Sequence, residues 1–468
     1  MKSSYIAGDT IAAIATPPGD GALGIVRLSG EKSVGIVSSL VSLAGGAGIE
    51  SLPDRKCALG VFRRNGQRVD RVMVAVFRAP HSFTGENLVE ITCHGGRVVL
   101  KLVMDLVVAS GARVAEPGEF SQRAYLNGKL DLAQAEAICD LIQARTEASS
   151  RIAFSHVEGG ISREVGRLRD ALIGMMASLE VAIDHTDDPT VGTALTLNEI
   201  DLKIEMEIKN LQNLVRSYDF GRLIKEGIKI AIVGKPNVGK SSLLNCLLKS
   251  ERAIVTPYPG TTRDTIEEGF DLLGIPAVLV DTAGLRSHTL DPVEQIGIER
   301  TKDALEKADA VIAVIDGSIP LSSEDEQVAR LTRGKRGVLA VGKCDLPGQA
   351  ELSRAGKMFS GYPLVPVSPL RQKGVQELLE SLSRQVIGCD EGGLNERKTV
   401  VSSLRQKNCL ARAQANLLKA RDLIRGNGME ECVALELREA LDELGEIVGE
   451  VASEDILQEV FSKFCIGK

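Results

Sequence analysis

The sequence predicts a multidomain α/β + α chain: an N-terminal α+β part, a discontinuous helical bundle, and a doubly wound parallel sheet domain inserted between the bundle's halves. Three observations carry this. From 226 to 388, strand-like apolar runs alternate with helical stretches, the pattern of a parallel sheet with crossover helices. Residues 1–128 hold short apolar runs cut by turn signals. Residues 129–225 and 389–468 carry apolar residues at helical spacing and no turn-rich strands.

Composition sets bounds. A chain of 468 residues has room for about three domains, and 44% apolar content is ample for their cores. A net charge of −7 excludes a generally basic nucleic-acid binder and leaves only a local basic face open. Nine scattered cysteines without a C-x-x-C pair point to a reducing compartment, against a disulfide frame or zinc site. The histidines (His81, His94, His156, His185 and His288) are too dispersed for a metal-ligand pattern. The start MKSSYIAGDT lacks an apolar signal core, and no apolar run reaches membrane-spanning length. The expectation is a soluble cytoplasmic protein with no membrane partner.

In the N-terminal part, Ile11–Ala15, Gly24–Leu28, Val72–Phe77 and Leu88–Cys93 read as strands. Pro17-Pro18-Gly19 and Asn65-Gly66 read as turns, and Val98–Val108 as a helix. Leu130, Ala133, Ala137, Ile138, Leu141 and Ile142 then recur at helical spacing. So do Val165, Leu168, Leu172, Met175, Met176, Leu179 and Ile183, with a third helix over Leu197–Tyr218. The Met175-Met176 pair is core. The inserted domain's strands are Ile228–Val233, Ala277–Val280, Val311–Ile315, Val338–Val341 and Leu364–Val367. Helices return over Lys398–Ile424, Glu431–Val448 and Ser453–Phe464.

Gly234–Ser241, GKPNVGKS, fits G-x-x-x-x-G-K-[ST], between a buried strand and a helix starting near Ser242. This is a P-loop. Gly234 and Gly239 let successive N–H groups point at phosphate oxygens, and the helix N-terminus adds its dipole. Lys240 reaches the β- and γ-phosphates, and the Ser241 hydroxyl ligates Mg²⁺. Asp281-Thr282-Ala283-Gly284 closes a strand, with Asp281 on Mg²⁺ through water and the Gly284 N–H toward the γ-phosphate. Thr262 supplies a second hydroxyl to Mg²⁺. In this order the motifs specify an inserted P-loop GTPase domain with two mobile switches.

The base-reading motifs depart from the usual pattern. Gly342-Lys343-Cys344-Asp345 stands where Asn-Lys-x-Asp is normal. Asp345 still accepts from guanine N1–H and N2, but Gly342 lacks the Asn side chain that ties this loop to the phosphate loop. Ser368-Pro369 replaces Ser-Ala, and Pro369 has no N–H for guanine O6. Weaker guanine affinity is expected rather than a changed base.

Further blocks lie outside this domain. They are Asp9–Ala13 with Thr16–Gly19, Ser82–Glu86, His94-Gly95-Gly96, Pro117–Ala124, Leu126–Glu136, and the terminal Phe464-Cys465-Ile466-Gly467-Lys468. Together with the GTPase motifs they resemble the MnmE (TrmE) family of tRNA-modification GTPases over essentially the whole chain. The resemblance implies an N-terminal folate-binding and dimerisation domain at 1–128, a helical domain at 129–225 and 389–468, and a GTPase domain at 226–388. It implies a homodimer that works with the FAD-dependent MnmG (GidA) in a heterotetramer-type complex. Together they place an aminomethyl or carboxymethylaminomethyl group on carbon 5 of the wobble uridine of certain tRNAs. The one-carbon unit comes from 5-formyl- or methylene-tetrahydrofolate.

By the same resemblance, folate contacts map onto Arg27, Glu90, Lys129 and the terminal Lys468. A K⁺ ion maps onto Asn237, Thr256, Tyr258 and Thr261, and activates GTP hydrolysis. The GTP/GDP site takes in Asn237, Val238, Gly239, Lys240, Ser241, Ser242, Thr256, Thr261, Thr262, Asp281–Gly284, Lys343, Asp345 and Ser368. Glu294 orients the attacking water, although this chain has one residue more between Asp281 and Glu294 than the family spacing. Arg263 and Arg286 read as structural, and the Ile183–Asp188 stretch, which departs from the family's acidic turn, takes no catalytic role. Cys465 is assigned to the modification reaction beside the folate site. Two competing readings are a switch-type GTPase in ribosome assembly, which would carry a basic RNA-binding module, and a membrane-transport GTPase, which the missing apolar spans oppose.

Overall fold

The structure, a computed structural model, describes residues 8–184, 195–250, 269–280, 302, 304–387 and 399–468. It divides into two compact units, Met1–Ile142 with His156–Ile200 and Lys419–Lys468, and Gln143–Ser155 with Asp201–Leu418. This division runs through the expected helical segments: 156–200 and 419–468 join the N-terminal sheet, while 143–155 and 201–226 join the nucleotide sheet.

Among its described residues the first unit is built on seven strands: β1 (Ile11–Ile14), β2 (Leu23–Ser29), β3 (Val41–Leu43), β4 (Lys56–Arg64), β5 (Gln67–Phe77), β6 (Leu88–His94) and β7 (Arg113–Val114). Their order is β3-β4-β5-β6-β2-β1-β7, antiparallel except for the β1–β7 pair. Alternation explains the layering. Val26, Leu28, Val72, Val74, Val76, Val89 and Ile91 point to one face and are buried among residues of helices Ser33–Leu40 and Arg97–Ala109. The Asn65-Gly66 turn takes φ of 49° and 84°, the two-residue hairpin that joins β4 to β5. The other face stays open at β4 and β5, with Leu59 opposite Met73, each 49% exposed, while at β1 it is covered, Ile11 and Ala13 being buried with Ala115 and Phe120.

A charged cluster ties the ends of this unit together. The Arg123 guanidinium is only 1% exposed. It bonds Asp9, Glu86 (3.1 Å) and Glu119 (3.0 Å). Arg113 binds the same Asp9 (2.8 Å) and Glu119 (2.6 Å). The helices beyond follow their apolar spacing. Val165, Leu168, Leu172, Met175 and Leu179 of helix Gly160–Asp184 are buried, as are Val433, Leu437, Ala440 and Leu444 of helix Glu430–Val448, which packs on it. The terminal helix, Glu454–Ser462, is capped by Ser453 Oγ, which accepts from Ile456 N. Its Val460 and Phe461, with Phe464 beyond, dock on Leu132, Ala135 and Tyr125.

Among its described residues the second unit carries six strands: β8 (Ile228–Val233), β9 (Gly269–Leu272), β10 (Ile275–Val280), β11 (Ala310–Asp316), β12 (Arg336–Gly342) and β13 (Leu364–Pro366), in the order β13-β12-β11-β8-β10-β9. Five run parallel, but β9 pairs antiparallel with β10, so the sheet is mixed rather than wholly parallel as expected. The reason is a tight turn. Leu273 (φ 52°) and Gly274 (φ 98°) both adopt left-handed backbone, as a two-residue hairpin requires. Two helix limits also differ. The helix expected to end at Tyr218 runs to Glu226, where Gly227 (φ 83°) stops it. The helix expected from Lys398 begins at Leu404. Val401 before it donates its N–H to Ser217 Oγ at 3.0 Å, so residues 399–403 lie along helix Leu197–Glu226 instead of coiling.

Burial opposes the Asp9 charge, but hydrogen bonds and charge from Arg123 and Arg113 hold its carboxyl below the usual carboxylate range. A depressed folded-state value adds stability above the unfolded value, and that stability is lost as pH falls through the folded one. Asp9→Asn is therefore expected to lower stability at pH 7 by about 1–3 kcal/mol, less than for a fully buried pair. The gap to wild type begins to narrow near the unfolded carboxyl value of about 3.9 and closes only below the lower folded one. Urea unfolding of both proteins at pH 7 and pH 3.5 checks this; an equal gap at both pH values would refute it.

Candidate functional site

Two sets of functional side chains are assembled, one in each unit. In the second unit, β8 delivers the chain into the phosphate loop. A Cβ on Gly234 would lie 2.4 Å from the Val314 carbonyl, so the loop leaves the sheet only with glycine there. Asn237 (φ 59°) and Gly239 (φ 100°) turn the backbone through left-handed geometry. Val238, 1% exposed, anchors the turn in the core, and helix Lys240–Ser250 follows with Ser241 and Ser242 in its first turn. Lys240 Nζ donates to the carbonyls of Gly234 and Lys235, both at 2.7 Å. Burial pushes its pKa down. The loop's other lysine is committed elsewhere: Lys235 Nζ meets Asp325 (2.7 Å) and Ser322 Oγ (3.1 Å) at the start of helix Ser323–Leu331.

The base-reading loop follows β12. Lys343 takes φ 57° and sends Nζ to Asp316 Oδ2 at 2.6 Å. Burial opposes the Asp316 charge, but the Lys343 and Ser318 hydrogen bonds hold its pKa low. Asp345 is exposed, and a hydrogen bond with the Ser368 side chain lowers its pKa. Ser368 itself is 1% exposed and fixed by backbone bonds to Lys373. Pro369 opens a short 3₁₀ turn, Pro369–Arg371, where a missing N–H is tolerated. Gly342 lies against the phosphate loop: a Cβ there would come 3.0 Å from the Val238 carbonyl and 3.2 Å from that of Ile315.

In the first unit, Arg27 on β2 stands opposite Glu90 on β6. Its Nε and Nη2 bond Glu90 Oε1 at 2.9 and 2.7 Å, and its Nη1 reaches the Gly467 carbonyl at 3.3 Å. The guanidinium lies 5.9 Å from the Phe83 ring and 5.8 Å from the Phe120 ring. The Lys468 carbonyl accepts from Phe120 N at 3.2 Å. Gly467 (φ 94°) is needed twice, for its backbone and because a Cβ would sit 2.7 Å from the Ile14 carbonyl. Burial and the Arg27 charge lower the Lys468 pKa. Cys465 is exposed, and its carbonyl accepts from Lys468 N at 3.3 Å. Lys129 is exposed and lies against Gly85, two residues from Phe83.

The domain described as the GTP-binding protein TrmE N-terminus matches residues 10–129, and the MnmE helical domain matches residues 132–465. Among curated proteins, the tRNA modification GTPase MnmE of Alkaliphilus metalliredigens is 41% identical over 464 residues, 98% of this chain and 99% of that protein. The proteins of that title from Natranaerobius thermophilus and Moorella thermoacetica are 40% and 41% identical, again over 98% of this chain and 99% of each relative. The chain belongs to the MnmE family. Of the residues the MnmE resemblance singles out, the structure brings together Arg27, Glu90 and the Cys465–Lys468 tail, and separately the phosphate loop with Lys343, Asp345 and Ser368. Thr256, Tyr258, Thr261, Thr262, Arg263, Asp281, Thr282, Ala283, Gly284, Arg286 and Glu294 lie outside the described residues, as does the stretch from His185.

Sequence reasoning missed the partners of the MnmE motif residues. Asp316, Asp325 and Ser322 hold Lys343 and Lys235 within the nucleotide motifs, and Phe83 and Phe120 flank Arg27. Only the two phenylalanines carried a signal, since both sit inside blocks shared with the family. The tight Gly342 contact yields a prediction. Gly342→Ala adds a Cβ against backbone without adding a tie, and should weaken GTP binding by about 1 kcal/mol, or roughly fivefold. Gly342→Asn should lose less, because its amide regains a hydrogen bond. Titration of a fluorescent GTP analogue measures both; Ala binding as tightly as Gly would disprove the contact's role.

Proposed function

We propose that this chain is a GTP-hydrolysing tRNA-modification protein. The observation that carries the reading is a complete phosphate loop and an Asp345–Ser368 base site on one sheet, in a chain that aligns over 98% of its length with proteins titled tRNA modification GTPase. The residues divide the work. Lys240 exchanges its carbonyl partners for β- and γ-phosphate oxygens, and Asp345 accepts from guanine. The donor set fits two metals: the Ser241 hydroxyl, with Thr262 and Asp281, suits Mg²⁺, and Asn237 at φ 59°, with Thr256, Tyr258 and Thr261, suits K⁺. Bound there, the cations would neutralise charge growing between the phosphates. Glu294 orients the water.

The first unit serves a tetrahydrofolate that donates a one-carbon unit. Its donor set fits that ligand. Both Arg27 bonds fall on Glu90 Oε1, which leaves Oε2 able to accept from an amidine-like pterin edge. Lys129 and Lys468 suit a folate glutamate tail, and Phe83 and Phe120 supply ring faces. The open sheet face with Leu59 and Met73 supports a homodimer through this unit. The partner is an FAD-dependent protein of the MnmG type, and the product is a wobble uridine substituted at carbon 5. No helix among the described residues is long and apolar enough to cross a membrane, consistent with action on cytoplasmic tRNA.

Mass spectrometry of tRNA nucleosides from a deletion strain tests the reading. The substituted uridine should vanish, return with the wild-type gene, and stay absent with Lys240→Ala. Cys465→Ser should leave GTP turnover intact while modification falls severalfold; full modification would reduce Cys465 to a packing residue. Turnover should be higher in K⁺ than in Na⁺ at equal ionic strength, and equal rates would remove the potassium site.

A further inference from the structure

Helices Ser323–Leu331 and Leu352–Met358 bury Ala329 and Ala355 in one apolar cluster, with Phe359 beside them. The Tyr362 hydroxyl donates to the Thr332 carbonyl at 3.1 Å and pins the end of one helix to the other. Between them lies a surface cleft of about 370 Å³ lined by Glu326, Arg330, Arg333, Arg354, Lys357 and Met358. Four cations face one carboxylate. Glu326 accepts from Arg354 at 3.0 Å and lies 3.8 Å from Arg330, yet these arginine side chains remain 54% and 79% exposed. The chain as a whole carries −7, so this cleft inverts the prevailing sign. Helix electrostatics accounts for part of it: Arg330 sits in the last turn of its helix, where a cation is favoured. The same holds for Lys357 in the last turn of the second helix, but not for Arg354 earlier in that helix or for Arg333 beyond the end of the first.

We propose that this cleft is a docking site for the RNA phosphate backbone, used by the tRNA of the proposed function, on which the inference rests. Three of its four cations are arginine, whose planar fork matches phosphate oxygens two at a time. The cleft holds the volume of about a dozen waters, enough for a sugar–phosphate unit. Among the described residues Met358 is its one large apolar side chain and no aromatic ring lines it, so it tracks a backbone and does not read bases.

The test uses the full-length protein and an unmodified tRNA transcript, with binding followed by fluorescence anisotropy from 50 to 300 mM KCl. Arg333→Glu with Lys357→Glu should weaken binding more than about tenfold at 100 mM, and the neutral pair Arg333→Gln with Lys357→Gln should weaken it less. In the neutral pair, the slope of log K against log salt should fall by about 1.4 to 1.8, two phosphate contacts at roughly 0.7 to 0.9 each. GTP turnover and thermal midpoint should match wild type in both. Unchanged affinity and slope in variants of a tRNA-binding wild type would overturn the cleft alone. A wild type that binds no tRNA would overturn the cleft and also the tRNA part of the function. If polyglutamate of matched charge displaces the tRNA as well as RNA does, the cleft recognises acidic chains and the RNA assignment fails.

Discussion

The buried guanidinium of Arg123 is the constraint on which the first unit depends. Removing such a group from water costs several kcal/mol unless its donors are met. Three carboxylates meet its Nη1 and Nη2 donors, and each comes from a different part of the chain: Asp9 ahead of β1, Glu86 ahead of β6, and Glu119 on the helix after β7. Satisfying one cation therefore fixes three segments. Phe120, next to Glu119, is thereby placed both to flank Arg27 and to bond the Lys468 carbonyl. The geometry around Arg27 is inherited from a charge cluster that need not touch any ligand.

The second unit solves a different problem, bringing two loops from different strands close enough to hold one nucleotide. Backbone proximity does this. The phosphate loop passes beside the Val314 carbonyl at Gly234, and the base-reading loop passes beside the Val238 carbonyl at Gly342. Where relatives of this class use an asparagine side chain, this chain uses closeness, supplemented by the Lys343–Asp316 and Asp345–Ser368 pairs. Such pairs position the loop by charge-assisted hydrogen bonds, stronger than neutral ones.

Much of this was legible in the sequence, for physical reasons that also mark where legibility stopped. Buried parallel strands such as Ile228–Val233 and Ala310–Asp316 are nearly continuous apolar runs, short and bounded by turn signals. The phosphate loop is legible because backbone curvature demands glycine at fixed spacing. The β9–β10 hairpin escaped because Leu273 occupies a left-handed position that Asn or Gly usually advertises. Helix Glu147–Val157 escaped because its register is held by Thr146 Oγ1 bonding the Gly274 carbonyl, a contact 128 residues away. Residues 399–403 looked helical because Val400 and Val401 are apolar, but their burial serves an extended segment. The Arg123 cluster was visible only as five separate charges, since pairing across 114 residues leaves no local pattern.

The Lys235–Asp325 pair changes how charge in the phosphate loop should be counted. Two lysines stand in that loop, but Lys235 is 9% exposed and neutralised by an aspartate that is 2% exposed. Its ammonium is spent on the fold. Of the loop's two lysines, Lys240 is the one left for an anion, and the left-handed turn at Asn237 and Gly239 sets backbone N–H groups beside it. Affinity for an anion at this loop is accordingly a property of backbone dipoles as much as of side-chain charge.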